Sequence, residues 1–159
     1  VKIRVPDAPL YTMFPRAVGA NPTPIAFAEV YLALQDGTVD AQENPLPTID
    51  AKKFDEVQKY IVLTGHITDA LLTIVGAPTW AKLSDADKKI FEEVFREAAA
   101  RATSQIIEIE AKLGAEFAKR GKEVVKVDRV PFRNAVAKMH NGPDATWDKA
   151  TYDKLQALK

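Results

Sequence analysis

Arg4 is the residue with the clearest chemistry to offer. It sits in Lys2-Ile3-Arg4-Val5-Pro6, a short apolar run stopped by a proline. An arginine in an apolar strand needs an anion, because a guanidinium cannot lose its proton when it is buried. Asn44 stands just before Pro45, at the end of a second short run, Val39-Asp40-Ala41-Gln42-Glu43. Two strands ending together, with a guanidinium and an amide at their tips, make a clamp for a carboxylate. Arginine suits that task because its planar fork forms two parallel bonds to the two oxygens. A blander reading stands beside this one. Arg4 could form a structural ion pair with Glu43, and Asn44 could simply open a turn before Pro45.

The other candidates each have two readings. Asp7 follows Pro6 and could cap the next helix, or reach a polar group on a ligand. Phe27 could pack in the core or face a ligand. Tyr11, Met13 and Phe14 could form pocket walls. His66 follows an apolar strand, where a histidine satisfied near a turn competes with a ligand contact. His66 and His140 are the two histidines, and neither stands in a metal-binding spacing such as His-Glu-x-x-His. The pairs Glu108/Glu110 and Asp85/Asp87 read as solvated helix faces. No Gly-x-Ser-x-Gly and no phosphate loop occur.

These residues need positioning elements. Lys2–Val5 reads as a strand. Ala8–Val18 reads as an irregular helix interrupted by Pro9 and Pro15. Asn21–Pro24 is held extended by its prolines. Ile25–Gln35 is an amphipathic helix, with Phe27, Val30, Tyr31 and Leu34 at helical spacing, closed by Asp36-Gly37. Val39–Glu43 is a short strand, Pro47–Phe54 a helix and Gln58–Gly65 a strand. Ala70–Gly76 is apolar without alternation, which predicts a strand covered on both faces. Ser84 and Asp87 form an N-cap pair for a helix from about Asp85 to Arg120. Phe91, Val94, Phe95, Ala98, Ala102, Ile106, Ile109, Leu113 and Phe117 mark its expected buried stripe. Such a helix would span about 54 Å at a rise of about 1.5 Å per residue. A compact domain of this size is only about 40 Å across. The helix must therefore kink, with Gly114 as a candidate point, or reach beyond the domain. Glu123–Val127 is a strand, and Val130–Met139 and Thr146–Leu158 are terminal helices.

Composition narrows the function classes. The 159 residues suffice for one domain with a core. The 22 basic and 22 acidic residues cancel, and no basic stripe suggests a nucleic-acid partner. No run of about 18 apolar residues is present to cross a membrane. The chain has no cysteine, so it forms no disulfide or thiolate metal site. It shows no signal peptide and does not begin with methionine, and it reads as a processed or truncated product. A binding protein, an enzyme acting on an organic acid, and a detached interaction or folding module all stay open. An enzyme would need a nucleophile or a tuned acid–base pair, and no histidine is arranged with a serine.

The order Lys2-Ile3-Arg4-Val5-Pro6, then Ala20-Asn21-Pro22-Thr23-Pro24-Ile25-Ala26-Phe27-Ala28-Glu29-Val30-Tyr31-Leu32-Ala33-Leu34-Gln35, then Val39-Asp40-Ala41-Gln42-Glu43-Asn44-Pro45 resembles the solute-binding proteins of TRAP transporters, the C4-dicarboxylate-binding type. The resemblance covers essentially the whole chain, which corresponds to the second half of a family member. It implies an α/β fold of the periplasmic binding protein kind. A mainly parallel sheet flanked by helices would form the second lobe, with a long helix bridging to the first. Residues 1–69 and 110–159 would belong to that lobe, and residues 70–109 would pack on the first. The resemblance also implies capture of an organic-acid solute between two lobes in the bacterial periplasm and delivery to TRAP membrane permease subunits. Arg4 falls on the family's carboxylate-binding arginine, Asn44 on the asparagine that orients it, and Phe27 on an aromatic facing the ligand. The expected ligand-binding set is Arg4, Asn44, Phe27, Asp7 and His66, with no catalytic residue, metal or cofactor. Partners would be the solute, the permease, and the first lobe or another copy of the chain.

Overall fold

The computed structural model describes residues 1–68, 70–140, 142 and 145–158. Its first sheet is built around β1 (Lys2–Val5), which pairs in parallel with β2 (Asn21–Pro24) on one side and β3 (Ala41–Gln42) on the other. The prolines of β2 explain its place at the edge. Asn21 N donates to Val1 O and Ile25 N donates to Val5 O. Residues 22 and 24 alternate with these, so the positions that lack an N–H face away from the ladder. The second sheet pairs β4 (Tyr60–Leu63) in parallel with β5 (Glu123–Lys126).

Helices make the crossovers that parallel pairing requires. The first, α1 (Pro9–Ala17), lies between β1 and β2 in sequence and packs on both. It is continuous, which corrects the interruptions expected at Pro9 and Pro15. Pro9 occupies the first turn, where its missing N–H is not needed. Pro15 lies inside the last turns and is buried. The Ile25–Gln35 segment is not one helix. It runs extended at Ile25 and Ala26, makes a 3₁₀ turn over Phe27–Glu29, and then forms α2 (Val30–Gln35). Gly37 closes α2 at φ +75°, a conformation that favours glycine. A short α3 (Leu46–Ala51) and a 3₁₀ turn (Phe54–Val57) lead into β4.

The core gathers Val30, Ala33 and Leu34 of α2 with Val39, Ile49, Phe54 and Ile61. One end of the long helix α5 (Asp85–Lys119) completes it with Leu113 and Phe117. Burying each such side chain contributes about 1.5–3 kcal/mol. Beyond α5, Arg120 Nη1 reaches Asp50 Oδ1 at 2.7 Å and the buried Asp55 at 3.4 Å. These contacts pin the helix end to α3.

Two expectations about the middle of the chain are corrected. Ala70–Gly76 forms no strand, and Leu71 is 97 % exposed. A strand needs another strand to pair with, and among the described residues none pairs with this segment. The apolar stripe along α5 is not buried over its length either. Ile90, Phe91, Val94, Ile106, Ile107 and Ile109 stay exposed, and burial begins at Leu113. The helix runs unbroken through Gly114, so of the two outcomes it reaches beyond the core. Ser84 caps it as expected, accepting from Asp87 N. A four-residue helix, α4 (Ala77–Trp80), precedes it and was not anticipated. Two more helices, α6 (Val130–Ala137) and α7 (Lys149–Ala157), end the chain.

The contrast along α5 is testable in urea melts of the chain, run dilute enough that sedimentation shows it monomeric. Phe117→Ala, at a fully buried site, is expected to cost about 3–5 kcal/mol. Ile107→Ala, at a site 62 % exposed, is expected to change stability by less than about 0.5 kcal/mol. Equal losses would show that the outer helix is packed in solution.

Candidate functional site

Because β1, β3 and β4 run in parallel sheets, residues at or just past their carboxyl ends carry the candidate side chains. Arg4 lies in the central strand and is 4 % exposed. Its Nε donates to Ile25 O at 2.8 Å. Its guanidinium carbon stands 5.7 Å from the centroid of Phe27. Burial pulls its pKa below the ordinary arginine value, and the nearby Glu43 carboxylate works in the opposite sense. A guanidinium remains charged under such a shift. No carboxylate of a described residue forms an ion pair with Arg4, so the alternative of an Arg4–Glu43 bridge is not what the structure contains. Glu43 faces His66 instead, with Oε2 3.7 Å from Nε2.

Asn44 does not bond to Arg4. Its Nδ2 donates to Gln42 Oε1 at 2.6 Å. Gln42 is the residue in register with Arg4 across the β1–β3 ladder. The amide therefore meets Arg4's neighbour on the adjoining strand. Phe27 opens the 3₁₀ turn and is 42 % exposed, which places it outside the core. It meets Phe54 edge-on at 6.0 Å, and Lys52 Nζ lies 5.6 Å from its ring. Two cations thus attend one aromatic ring. Asp7 is exposed and does not cap α1, whose N-cap is Ala8 without a side-chain bond.

His66 follows β4 and is held on three sides. Thr64 Oγ1 lies 2.7 Å from its Nδ1, Glu43 lies on the Nε2 side, and Phe14 stacks on the ring at 4.1 Å. It stands at the meeting of the Arg4 cluster and a cavity of about 630 Å³. Tyr11, Met13 and Phe14 line that cavity, as expected for pocket walls. Gln42 and Lys52 went unnoticed in the sequence, because register and the approach of α3 to Phe27 have no local signature. No group of three or more potential metal ligands occurs among the described residues.

Comparison with known proteins identifies the class. Residues 1–143 match the bacterial extracellular solute-binding protein family 7, DctP. The chain belongs to this family, that of the TRAP solute-binding proteins. It is 40 % identical over 158 residues to the sialic acid-binding periplasmic protein SiaP of Vibrio cholerae, a match covering 99 % of this chain and 49 % of that protein. Among solved structures, a TRAP periplasmic solute-binding protein from Polaromonas bound to D-erythronate superposes with a TM-score of 0.92 at 38 % identity, over 100 % of this chain and 53 % of that one. One from Roseobacter denitrificans with bound 3-deoxy-D-manno-oct-2-ulosonic acid gives 0.89 at 34 % identity, with the same coverage. The chain spans about half the length of the relatives it matches. The expected family and α/β fold are both borne out.

The loop that carries His66 depends on Gly65. Its φ is +53°, and a Cβ there would lie 2.5 Å from the Arg129 guanidinium. Gly65→Ala is expected to cost at least about 1 kcal/mol in a urea melt, from the positive φ and the displaced arginine. An unchanged midpoint would show that the loop relaxes freely.

Proposed function

We propose that this chain supplies one half of the cleft of an extracytoplasmic solute-binding protein. It would take the carboxylate of an organic acid and deliver the solute, unchanged, to TRAP membrane permease subunits. The observation that carries the reading is Arg4. Its guanidinium is desolvated, its Nε is fixed by Ile25 O, and its two Nη groups keep donors for a bidentate acid. Phe27 would lie against the body of the solute, Asn44 would act through Gln42 at the same strand ends, and Asp7 and His66 would meet its polar groups. Relatives of the chain take acids too: the Polaromonas protein is bound to D-erythronate, and the Vibrio protein is a sialic acid-binding one. The periplasm is the compartment that fits the family's description and the name of the Vibrio relative. No helix among the described residues is long and apolar enough to cross a membrane. Function here is capture without turnover, and no cofactor has a role in it.

The same reading assigns residues 70–109 to contacts with the other half of such a protein, and residues 1–69 and 110–159 to the lobe itself. Leu71, Leu72 and Ile74, with the outer apolar face of α5, would be covered in that assembly. In the chain alone these surfaces favour association, since exposed patches of this kind drive it. Sedimentation is expected to find self-association, or pairing with a separately supplied first half. A stable monomer that binds an organic acid at micromolar concentration would overturn this expectation and point to a complete site within the chain.

In a protein with both halves present, Arg4→Ala is expected to weaken solute binding at least ~100-fold by calorimetry, because it leaves a carboxylate without its desolvated partner. Arg4→Lys should also weaken it, since lysine cannot form the two-pronged bond. Asn44→Ala should cost less, about 0.5–1.5 kcal/mol and up to about 3 if the amide supports a charged partner. The double variant with Arg4→Ala should be non-additive. Near-normal affinity in either Arg4 variant would remove the clamp assignment.

A further inference from the structure

Among the described residues, the cavity between α1 and α6 carries charge of one sense. Two of its walls carry Arg129, the N-cap residue of α6, and Arg133, one turn further on. Residues four apart lie on one side of a helix, and both arginines line the same cavity. Neither has a carboxylate partner among the described residues. The nearest acid in sequence, Asp128, accepts from Val130 N at 3.0 Å and pairs with neither arginine. The first turn of α6 holds no acidic residue. Cations at a helix N-terminus oppose the helix dipole, so two of them there leave a positive field that no carboxylate of a described residue pairs with. Among the described residues, no aspartate or glutamate lines the cavity.

The arginine heads are not free to swing away without consequence. The Arg129 guanidinium lies where a Cβ of residue 65 would stand, in space that only a glycine leaves open. It is therefore seated against the loop after β4, at the cavity wall. The apolar walls are ring faces at shallow angles. Phe14 stacks on His66 at 4.1 Å and 17°, and Phe14 and Phe132 lie 6.0 Å apart at 27°. Trp147 contributes a further ring. Near-parallel rings beside two cations favour a flat ligand with an acid at one end. The volume, about 630 Å³, is in the range of small-molecule sites, roughly 300–1,000 Å³.

We propose that this cavity is a second anion site, distinct from the Arg4 cluster, for a small planar or aromatic carboxylate. The acid would bind Arg129 and Arg133, and the ring would lie among Phe14, Phe132 and Trp147. Arg4, Phe27 and Asn44 take no part in it, so the site stands or falls apart from the reading of Arg4 as the solute clamp.

Trp147 lines the cavity and Trp80 does not, so Trp80→Phe leaves one fluorescent reporter at the site. In that background, 3-phenylpropionate is expected to change the emission with saturation below about 10 mM, and its uncharged amide, 3-phenylpropionamide, to bind at least ~10-fold more weakly. The double change Arg129→Gln/Arg133→Gln should weaken the acid by at least ~10-fold while leaving the amide's affinity as it was. Arg4→Ala should leave the titration unchanged. Acid and amide binding alike would show an apolar pocket without an anion site. Loss of the response in Arg4→Ala would place the acid in the strand-end cluster instead. No saturable response in the unmodified background, or an unaffected double variant, would equally overturn the proposal.

Discussion

A guanidinium held almost out of water at the end of a central strand sets the terms for this structure. Desolvating an ion costs several kcal/mol even after relaxation. The chain returns part of that through the bond from Arg4 Nε to Ile25 O, about 1.5–3 kcal/mol for a charged donor. The Phe27 face adds about 0.5–2 kcal/mol. Glu43 is close enough to stabilise the charge but stands in contact with His66 rather than with Arg4. The compensation is therefore partial. The backbone that supplies it is fixed by β2, whose prolines hold an extended path and leave Ile25 N on Val5 O and Ile25 O on Arg4. On the proposed reading of Arg4 as a carboxylate clamp, a guanidinium fixed in this way by the fold would lower the ordering cost of binding an anion.

A second constraint comes from how little of α5 the core can reach. The helix is 35 residues long, and its last turns alone have α3, β4 and β5 to pack against. Leu113 and Phe117 are buried there, and Arg120 ties the end to Asp50 and Asp55. Toward its start the same apolar spacing continues with its side chains exposed, no described residue burying them. The Ala70–Gly76 segment, apolar on every residue but Thr73 and Gly76, shares that exposure. Surface of this kind is arranged as if for contact, not solvation, and its two pieces flank α4 in sequence.

Signals confined to a few neighbouring residues were legible in the sequence. Prolines marked the strand ends and the extended Asn21–Pro24 run, Gly37 closed a helix, and Ser84 with Asp87 fixed where α5 starts. Features that depend on a distant partner were not. The apolar run at Ala70–Gly76 carries strand composition, but composition cannot supply a neighbouring strand. The α5 stripe has the right period, yet period says which face is apolar and not whether anything covers it. In the site, Arg4 was legible because a charge in an apolar strand is anomalous on its face. The Asn44–Gln42 bond was not, because only the β1–β3 register brings Gln42 beside Arg4. Arg129 and Arg133 sat in plain view at helical spacing, but that no described carboxylate pairs with them is a tertiary fact.

Parallel pairing accounts for where the chemistry collects. Every strand in both sheets runs in the same sense as its partner, so the carboxyl ends of β1 and β3 share one edge, and those of β4 and β5 share another. Open parallel sheets bind ligands outside such edges, where loops leave the strands and helices begin. Arg4, Asp7 and Asn44 lie at or just past the ends of the first sheet, and His66 and Arg129 just past those of the second. The two sheets share no ladder. What joins their carboxyl ends is a side-chain contact, Glu43 with His66, backed by Phe14 of α1. His66 is thus the joint between two edges, in addition to the ligand contact proposed for it. Its three contacts fix the spacing of the Arg4 cluster from the α1–α6 cavity, and they explain why a histidine that looked merely satisfied in the sequence borders both.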